Sequence, residues 1–226
     1  MKLLWSPNQN ATSSKKYGLL KRWFFYQGYQ KYYINVYTKK PKALNFLLSV
    51  KSDLIENFFL REICTSSDTY SFLDIGCNNG FFLYLARYYG LLKVTGIDID
   101  KDLKKIHENH IYPHIEFQAV DFNTYTRKSD IVMAMSLFHW MLGQAVDNGD
   151  DPDIVMNNIF KKLALLTNVI LIIEFVLSED IKVKKYKHFN FSANIDDYEI
   201  SALQYFSRIE KIGNSSPTRP VYALYK

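Results

Sequence analysis

The chain has 226 residues, a net charge of +5 and a pI of about 8.9. That length suffices for one large domain with a buried core, and the mild positive charge permits an anionic substrate without requiring nucleic acid. The two cysteines, Cys64 and Cys77, are too far apart and too differently placed to suggest a disulfide framework. No apolar run approaches the roughly 18 residues of a transmembrane helix, and residues 1–5 are too short for a signal-peptide core. We therefore expect a cytoplasmic location and no membrane span.

The N-terminal part is polar at first and then aromatic and basic. Residues 1–16 predict a mobile arm, with a lid over the site as the alternative. Apolar and aromatic positions in residues 17–36 predict an amphipathic helix. Its interleaved aromatic and basic side chains could stack on bases or sugars, or the helix could pack on a sheet edge. Apolar residues at three- and four-residue steps predict a second helix over 43–63.

A strand, a tight turn and a helix start follow in residues 71–89. The turn has the spacing Gly76-x-x-x-Gly80, which differs from the Gly-x-Gly-x-x-Gly of dinucleotide sites. Glycine permits positive φ and lets a ligand approach the backbone. Asp74 would repel a pyrophosphate, so the turn favours a ligand with cationic or hydroxylic groups.

A second acid, Asp98, ends the next predicted strand, which begins at Lys93. In nucleoside-binding α/β folds an acid at this position accepts hydrogen bonds from ribose hydroxyls. With both motifs in place, the chain resembles the class I S-adenosylmethionine-dependent methyltransferases. The segment Asp74–Gly80 is similar to their first motif, and Gly96–Asp98 to their ribose-binding strand. An ordinary βαβ unit with a glycine turn is the alternative.

The resemblance implies S-adenosylmethionine as cofactor, with S-adenosylhomocysteine as product. A third strand over 115–120 precedes Asp121 and Phe122. The resemblance implies that Asp121 accepts a hydrogen bond from the adenine amine and that Phe122 packs on the adenine ring. The alternative is that Asp121 is a helix N-cap and Phe122 a core residue. A helix before the first motif helps to close the site in related enzymes, which makes Tyr26 and Gln27 candidates there. The implied cofactor-binding residues are Asp74, Gly76, Cys77, Asn78, Gly80, Asp98, Ile99, Asp121, Phe122, Met135, Ser136, Tyr26 and Gln27.

A fourth strand over 130–135 is followed by His139 and Trp140. Ligands bind beyond the carboxyl ends of strands in open α/β sheets, so His139 is a candidate general base, with a structural histidine as the alternative. Residues 143–152 predict an acidic loop, in which Asp147, Asp150 and Asp151 either bind a divalent ion or are simply solvated. We expect no resident metal.

The remaining pattern predicts a helix over 153–166, a strand over 169–175, a Lys-rich insertion over 178–194 containing His188, and a helix over 195–206. Strands over 207–212 and 221–225 then predict an antiparallel pair around residues 213–217. The predicted fold is α/β: a Rossmann-like, seven-stranded, mostly parallel sheet with an antiparallel last strand and helices on both faces. Residues 1–66 would form an N-terminal arm with helices that close the site, and residues 67–226 the methyltransferase domain.

Two further local resemblances concern the methyl acceptor. Ser136–His139 and Lys162–Glu174 are similar to the methyltransferase part of bacterial O-antigen chain-terminating kinase/methyltransferases. Arg219–Tyr222 resembles RNA methylphosphate-capping enzymes. These imply an O-methyltransferase that modifies a terminal hydroxyl or phosphate of a glycan. One domain of a larger glycan-modifying enzyme is an alternative. An RNA-end methyltransferase and an inactive cofactor-binding module are the alternatives. No Asn-Pro-Pro-Tyr follows the fourth strand, which argues against methylation of base amines.

Overall fold

A computed structural model describes residues 22–25, 30–35, 37–64, 69–101, 114–135, 137–180 and 194–226. The predicted arm 1–16 and the predicted cofactor residues Tyr26, Gln27 and Ser136 lie outside these ranges, as does most of the Lys-rich insertion. The described strands are β1 Arg22–Phe25, β2 Tyr32–Asn35, β3 Pro41–Ala43, β4 Ser71–Ile75, β5 Lys93–Asp98, β6 Ile115–Ala119, β7 Ser129–Ala134, β8 Thr167–Glu174, β9 Arg208–Ser216 and β10 Arg219–Tyr225. The described helices are α1 Phe46–Glu62, α2 Phe81–Tyr88, α3 Phe138–Asp147, α4 Pro152–Leu166 and α5 Ile195–Leu203.

Seven strands form one sheet in the order β6-β5-β4-β7-β8-β10-β9. The pairs β5–β6, β4–β7 and β7–β8 are parallel, whereas β10 pairs antiparallel with both β8 and β9. The last strand therefore inserts between the two preceding strands with its direction reversed. This confirms the predicted α/β class with a mostly parallel seven-stranded sheet. None of the helices within the described residues is long and apolar enough to cross a membrane.

The chain divides into two compact units, one of Met1–Thr69 with Cys77–Phe122 and the other of Tyr70–Gly76 with Asn123–Lys226. In the first unit, β1, β2 and β3 form a small antiparallel sheet. Tyr32 on this sheet is buried and meets Phe81 of α2 edge to face, with ring centroids 5.2 Å apart. Such aromatic pairs add to the energy of area burial. The small sheet therefore packs through one face on the helix that follows the glycine turn.

The predicted helix over residues 17–36 is wrong, because the described parts of this stretch are β1 and β2. Burial along β2 alternates: Tyr32 and Ile34 are buried, whereas Tyr33 and Asn35 are half-buried. Alternation with period two is the pattern of a strand with one covered face. Aromatic and β-branched residues favour strands, so the density of tyrosines here is compatible with a sheet. The next predicted helix is confirmed as α1, whose N-cap Asn45 accepts a hydrogen bond from the Leu48 N–H.

The second unit has an aromatic core beneath its helices. Phe138, Phe160, Phe175 and Tyr198 are all buried, and the rings of Phe175 and Tyr198 stack with centroids 4.5 Å apart. Phe138 opens α3, which continues to Asp147. The predicted loop over residues 143–152 is therefore shorter than expected, because α3 includes its first five residues. Pro152 at the first position of α4 then fixes the next helix start.

The C-terminal hairpin is longer than predicted and carries a buried ionic cluster. Its turn is at residues 217–218 rather than 213–217, since β9 extends to Ser216. Arg219 donates two hydrogen bonds to Asp180, at 2.8 and 3.1 Å, and lies 3.7 Å from the Glu174 carboxylate. Ser215 also donates to Glu174. Removing one partner of such a buried pair leaves an uncompensated charge, so this cluster fixes the end of β8 against β10.

Candidate functional site

The glycine turn combines three left-handed backbone positions within five residues. Gly76, Asn78 and Gly80 have φ values of 69°, 48° and 76°. Asparagine is one of the few side chains that tolerate this region. The Gly80 N–H donates to the Cys77 carbonyl at 2.8 Å, and Gly80 then begins α2 with no side-chain cap. The N-cap residue of α2 itself therefore supplies no side-chain acceptor to the helix N-terminus.

The two motifs singled out in the sequence meet within the first unit. Asp98, half-buried at the end of β5, accepts the Asn78 N–H at 2.9 Å through Oδ2. Its Oδ1 accepts the Asp100 N–H at 3.1 Å. Each carboxylate oxygen carries two acceptor sites, so capacity for hydroxyl donors remains. Ile99, directly after this acid, is 74% exposed and offers an apolar surface beside it.

Gly96 in β5 permits a close approach between that strand and the turn. A Cβ at this position would lie 2.5 Å from Leu83 Cδ1 and 2.8 Å from Cys77 Sγ. Both distances are far inside van der Waals contact. Cys77 is buried, and its N–H donates to the Ile97 carbonyl at 3.1 Å. Cys77 is therefore a packing residue here, and the need for glycine at position 96 is a feature that the sequence pattern alone did not reveal.

The small sheet braces the turn through residues that sequence reasoning missed. The backbone carbonyl of Gln30 accepts a hydrogen bond from the Asn79 side-chain amide at 3.1 Å. The side-chain Oε1 of Gln30 accepts one from the Phe81 N–H at 3.2 Å. The Tyr32 hydroxyl donates to the Asn79 carbonyl. Burial raises the pKa of Tyr32 well above its ordinary value, with smaller contributions from Tyr84 and Cys77. The phenol therefore stays protonated and remains a donor.

The carboxyl end of β6 lies beside that of β5. The Val120 N–H donates to the Asp98 backbone carbonyl at 2.9 Å. The next residue, Asp121, is exposed, and Phe122 is buried at 8% exposure. The structure thus brings the backbone before Asp121 next to Asp98. Phe122 has little surface left for a stacking ring.

The second unit holds the strand before the turn and the helix after β7. Asp74, 2% exposed, is paired with Met133 in the parallel ladder, and Met135 is buried beyond it. A Cβ on Gly76 would lie 3.2 Å from Leu137 Cδ1, so the segment after β7 approaches the turn closely. His139 is in the first turn of α3 and is 3% exposed.

Trp140, the neighbour of His139, is 49% exposed, and the two ring centroids are 5.6 Å apart.

In the acidic stretch 147–151, the Asp151 side chain caps α4 by accepting the Asp153 and Ile154 N–H groups. Within the described ranges, no three or more His, Cys, Asp or Glu side chains are grouped to hold a metal ion. Asp151 therefore has a structural role as a helix cap.

Residues 73–164 match the protein family described as "Methyltransferase domain". This range begins in β4, includes the glycine turn, Asp98 and His139, and ends within α4. No curated protein is significantly similar to the chain in sequence.

Several solved structures share the fold. ChlM, the magnesium protoporphyrin IX methyltransferase from Synechocystis PCC 6803 with bound SAH, has a TM-score of 0.56 at 15% identity, over 82% of this chain and 89% of that chain. The N-methyltransferase NodS from Bradyrhizobium japonicum WM9, in complex with S-adenosyl-L-homocysteine, has a TM-score of 0.53 at 13% identity, over 80% and 98%. The PH0226 protein from Pyrococcus horikoshii OT3 has a TM-score of 0.52 at 20% identity, over 77% and 89%.

At these identities the structural likeness concerns the fold, and the family match supplies the activity. The domain match over residues 73–164, on a fold that these methyltransferase structures share, supports S-adenosylmethionine-dependent methyl transfer as the activity of this chain.

Proposed function

We propose that the nucleoside part of S-adenosylmethionine binds at the carboxyl ends of β5 and β6, with Asp98 accepting from the ribose hydroxyls. The half-buried carboxylate is already oriented by the Asn78 and Asp100 N–H groups. Hydrogen bonds to an ionised group are the stronger ones, worth about 1.5–3 kcal/mol each. Exposed Ile99 would cover one face of the adenine, and Asp121 would accept from its amine.

The rest of the cofactor site is assigned by the same proposal. Asp74, Gly76, Cys77, Asn78 and Gly80 form the turn beneath the amino-acid part, where backbone N–H groups and the α2 N-terminus attract a carboxylate. Met135 and Ser136, which follow β7 in sequence, are assigned to the same site, and Phe122 supports the adenine pocket from within the core. Tyr26 and Gln27 remain candidates for covering the cofactor.

We further propose that the enzyme methylates an oxygen of a saccharide, and that His139 is the general base when this oxygen is a hydroxyl. When bound, the cofactor supplies an electrophilic methyl group on a sulfonium. A sugar hydroxyl attacks well only as its proton leaves, and a positioned base contributes roughly 10²–10⁴-fold. His139 lies in the helical turn just after β7, beyond the carboxyl end of a central strand, where α/β sheets bind ligands. This placement is the observation that carries the proposal.

The fold does not determine the methyl acceptor, so the choice of a saccharide rests on two short sequence segments and on the sequence after β7. The similar structures are described as acting on a porphyrin and as an N-methyltransferase, which are different chemistries. The segments Ser136–His139 and Lys162–Glu174 support a glycan, as the sequence resemblance implies, and the segment after β7 lacks the Asn-Pro-Pro-Tyr of base-amine enzymes. A phosphate acceptor is already anionic, so His139 would then orient it instead of removing a proton.

The test is transfer of a labelled methyl group from S-adenosylmethionine to three acceptors: a neutral glycan, a phosphorylated glycan, and RNA with a 5′-phosphate. We expect label in glycan, as an alkali-stable ether from a hydroxyl or as a methyl phosphodiester from a phosphate. Label in RNA alone would support an RNA-end enzyme instead. Cofactor binding without transfer to any acceptor would favour an inactive binding module. Asp98→Ala serves as the cofactor-binding control.

A further inference from the structure

Gln30 is buried against the N-terminus of α2 and contacts the glycine turn through both its backbone and its side chain. It lies two residues before β2 and is 1% exposed. Its backbone carbonyl accepts from the Asn79 side-chain amide at 3.1 Å, and its side-chain Oε1 accepts from the Phe81 N–H at 3.2 Å. Phe81 is the first residue of α2. Gln30 therefore caps this helix from 51 positions earlier in the chain.

The contact with Phe81 fixes which end of the Gln30 amide faces the helix. An N–H group needs an acceptor, so the amide oxygen meets Phe81 and the NH₂ group on the same carbon is directed away from that N–H. This NH₂ group carries two donors, and neither has an acceptor among the residues that the structure describes. A buried donor without a partner is costly, and such groups are rare in native proteins. The two donors therefore point to a ligand that supplies an acceptor.

The surroundings of this NH₂ group favour an anionic acceptor. The hydrogen-bond ladder of α2 begins with the Tyr84 N–H, which donates to the Gly80 carbonyl at 3.1 Å. The N–H groups of Phe82 and Leu83 precede this ladder, and Gly80 provides no side-chain cap. The first N–H groups and the helix dipole give an α-helix N-terminus a partial positive charge that attracts anions. The NH₂ group of Gln30 adds two donors at the same end of α2.

The glycine turn also links Gln30 to the acid assigned to the ribose. Asn78 donates its N–H to Asp98 at 2.9 Å, and its side chain accepts the Asn79 N–H at 2.8 Å. Asn79 is the residue whose side-chain amide donates to Gln30. Two consecutive turn residues thus connect Asp98 with Gln30, and all four belong to the first compact unit. Both groups can therefore contact one ligand that lies across this turn.

We infer that Gln30 is a specificity-determining residue for the cofactor, because its side-chain NH₂ group donates to the carboxylate of the methionine part. The inference rests on the proposed cofactor site and adds a partner for one end of the ligand. The carboxylate is the only anionic group of S-adenosylmethionine and of S-adenosylhomocysteine, so it is the group that the N-terminus of α2 attracts. An amide that donates to an ionised group forms one of the stronger hydrogen bonds. The small sheet thereby distinguishes the cofactor from nucleosides that lack an amino-acid part.

The experiment is calorimetric titration of the full chain with S-adenosylhomocysteine and with 5′-methylthioadenosine, which shares the adenosine and the sulfur but has no carboxylate. The test variant is Gln30→Glu. It keeps an oxygen acceptor for the Phe81 N–H and replaces the NH₂ group by a second oxygen. An acid is favourable at a helix N-terminus, so the variant should keep its fold, which circular dichroism checks. We expect S-adenosylhomocysteine to bind about 10–100-fold more weakly and 5′-methylthioadenosine to stay within a few-fold of the unmodified chain.

A second variant and a matched control separate recognition from bracing. Gln30→Met removes the donor and the acceptor without adding charge, and it should also weaken S-adenosylhomocysteine about tenfold more than 5′-methylthioadenosine. The control is Tyr32→Phe, which removes the hydroxyl donor to the Asn79 carbonyl on the same turn. Because Tyr32 acts through the turn alone, its loss should weaken both probes by the same factor.

Equal losses for the two probes in both Gln30 variants would make Gln30 a structural cap and overturn the inference. Unchanged S-adenosylhomocysteine affinity in both variants, or equal affinity of the unmodified chain for the two probes, would overturn it as well. Failure of the proposed cofactor site gives a different result. Asp98→Ala should weaken both probes, because both contain the ribose. If Asp98→Ala weakened neither while the Gln30 variants lost S-adenosylhomocysteine alone, the ribose assignment would be refuted and the role of Gln30 would stand.

Discussion

Replacing Gly96 by alanine tests whether close packing under the turn positions the cofactor site. The added methyl group would lie 2.5 Å from Leu83 Cδ1 and 2.8 Å from Cys77 Sγ, so both side chains must move. Overpacking of this kind costs roughly 1–3 kcal/mol. For a chain of this size each kcal/mol lowers Tm by about 2–4 °C, so we expect Gly96→Ala to melt roughly 2–12 °C lower.

The same substitution should weaken cofactor binding. Moving Cys77 also moves Asn78, whose N–H orients the Asp98 carboxylate at 2.9 Å. A displacement of a few tenths of an ångström at a charge-assisted hydrogen bond should lower S-adenosylhomocysteine affinity about five- to tenfold. Differential scanning calorimetry and isothermal titration calorimetry measure the two effects on one preparation.

A matched control is Gly149→Ala. Gly149 has a φ of 90°, so alanine is strained there, but a Cβ would have no neighbour within 4 Å. This variant should lose stability through backbone strain of about 1 kcal/mol and keep its cofactor affinity. If Gly96→Ala matched the unmodified protein in both Tm and affinity, the close packing would not support the site and the reasoning would be wrong.

Three further predictions concern single side chains. Asp121→Ala should weaken S-adenosylhomocysteine binding less than Asp98→Ala, because its proposed partner is a neutral amine and water can replace it; calorimetry showing the reverse order would mean that the strands are misassigned. Tyr32→Phe should cost about 1–3 kcal/mol of unfolding free energy by removing the donor to the buried Asn79 carbonyl, and should weaken cofactor binding several-fold; a melting curve and affinity equal to those of the unmodified chain would refute the brace. His139→Ala and His139→Asn should lower turnover on a hydroxyl acceptor by roughly 10²–10⁴-fold with cofactor affinity retained, and turnover within a few-fold would refute the base role.

The central part of the fold was predictable because its signals are local. The strand–turn–helix around Gly76 and Gly80 and the acid at position 98 follow from short apolar runs, glycine spacing and charge, and the Asn78–Asp98 hydrogen bond confirms that the two motifs meet. The helix over 43–63 was predictable from its three- and four-residue apolar period, and the structure adds its N-cap, Asn45. These features depend on neighbours close in sequence.

Features that depend on distant contacts were not predictable. Residues 22–35 carry enough aromatics to fit either a helix or a strand, and the covered face that decides between them packs on α2, far along the chain. Gln30 gave no sequence signal, because its role is to accept the Phe81 N–H from about fifty positions away. The requirement for glycine at 96 likewise exists only when Cys77 and Leu83 lie over the strand.

The most direct test of the cofactor assignment is the S-adenosylhomocysteine affinity of Asp98→Ala, measured by calorimetry beside Asp100→Ala. Asp100 is an exposed acid two residues away, so its removal changes the charge equally. Losing two charge-assisted hydrogen bonds, about 1.5 kcal/mol or more each, predicts at least a hundredfold weaker binding for Asp98→Ala. Asp100→Ala should remain within a few-fold of the unmodified chain. A folded Asp98→Ala variant with unchanged S-adenosylhomocysteine affinity would contradict the assignment of Asp98 to the ribose hydroxyls.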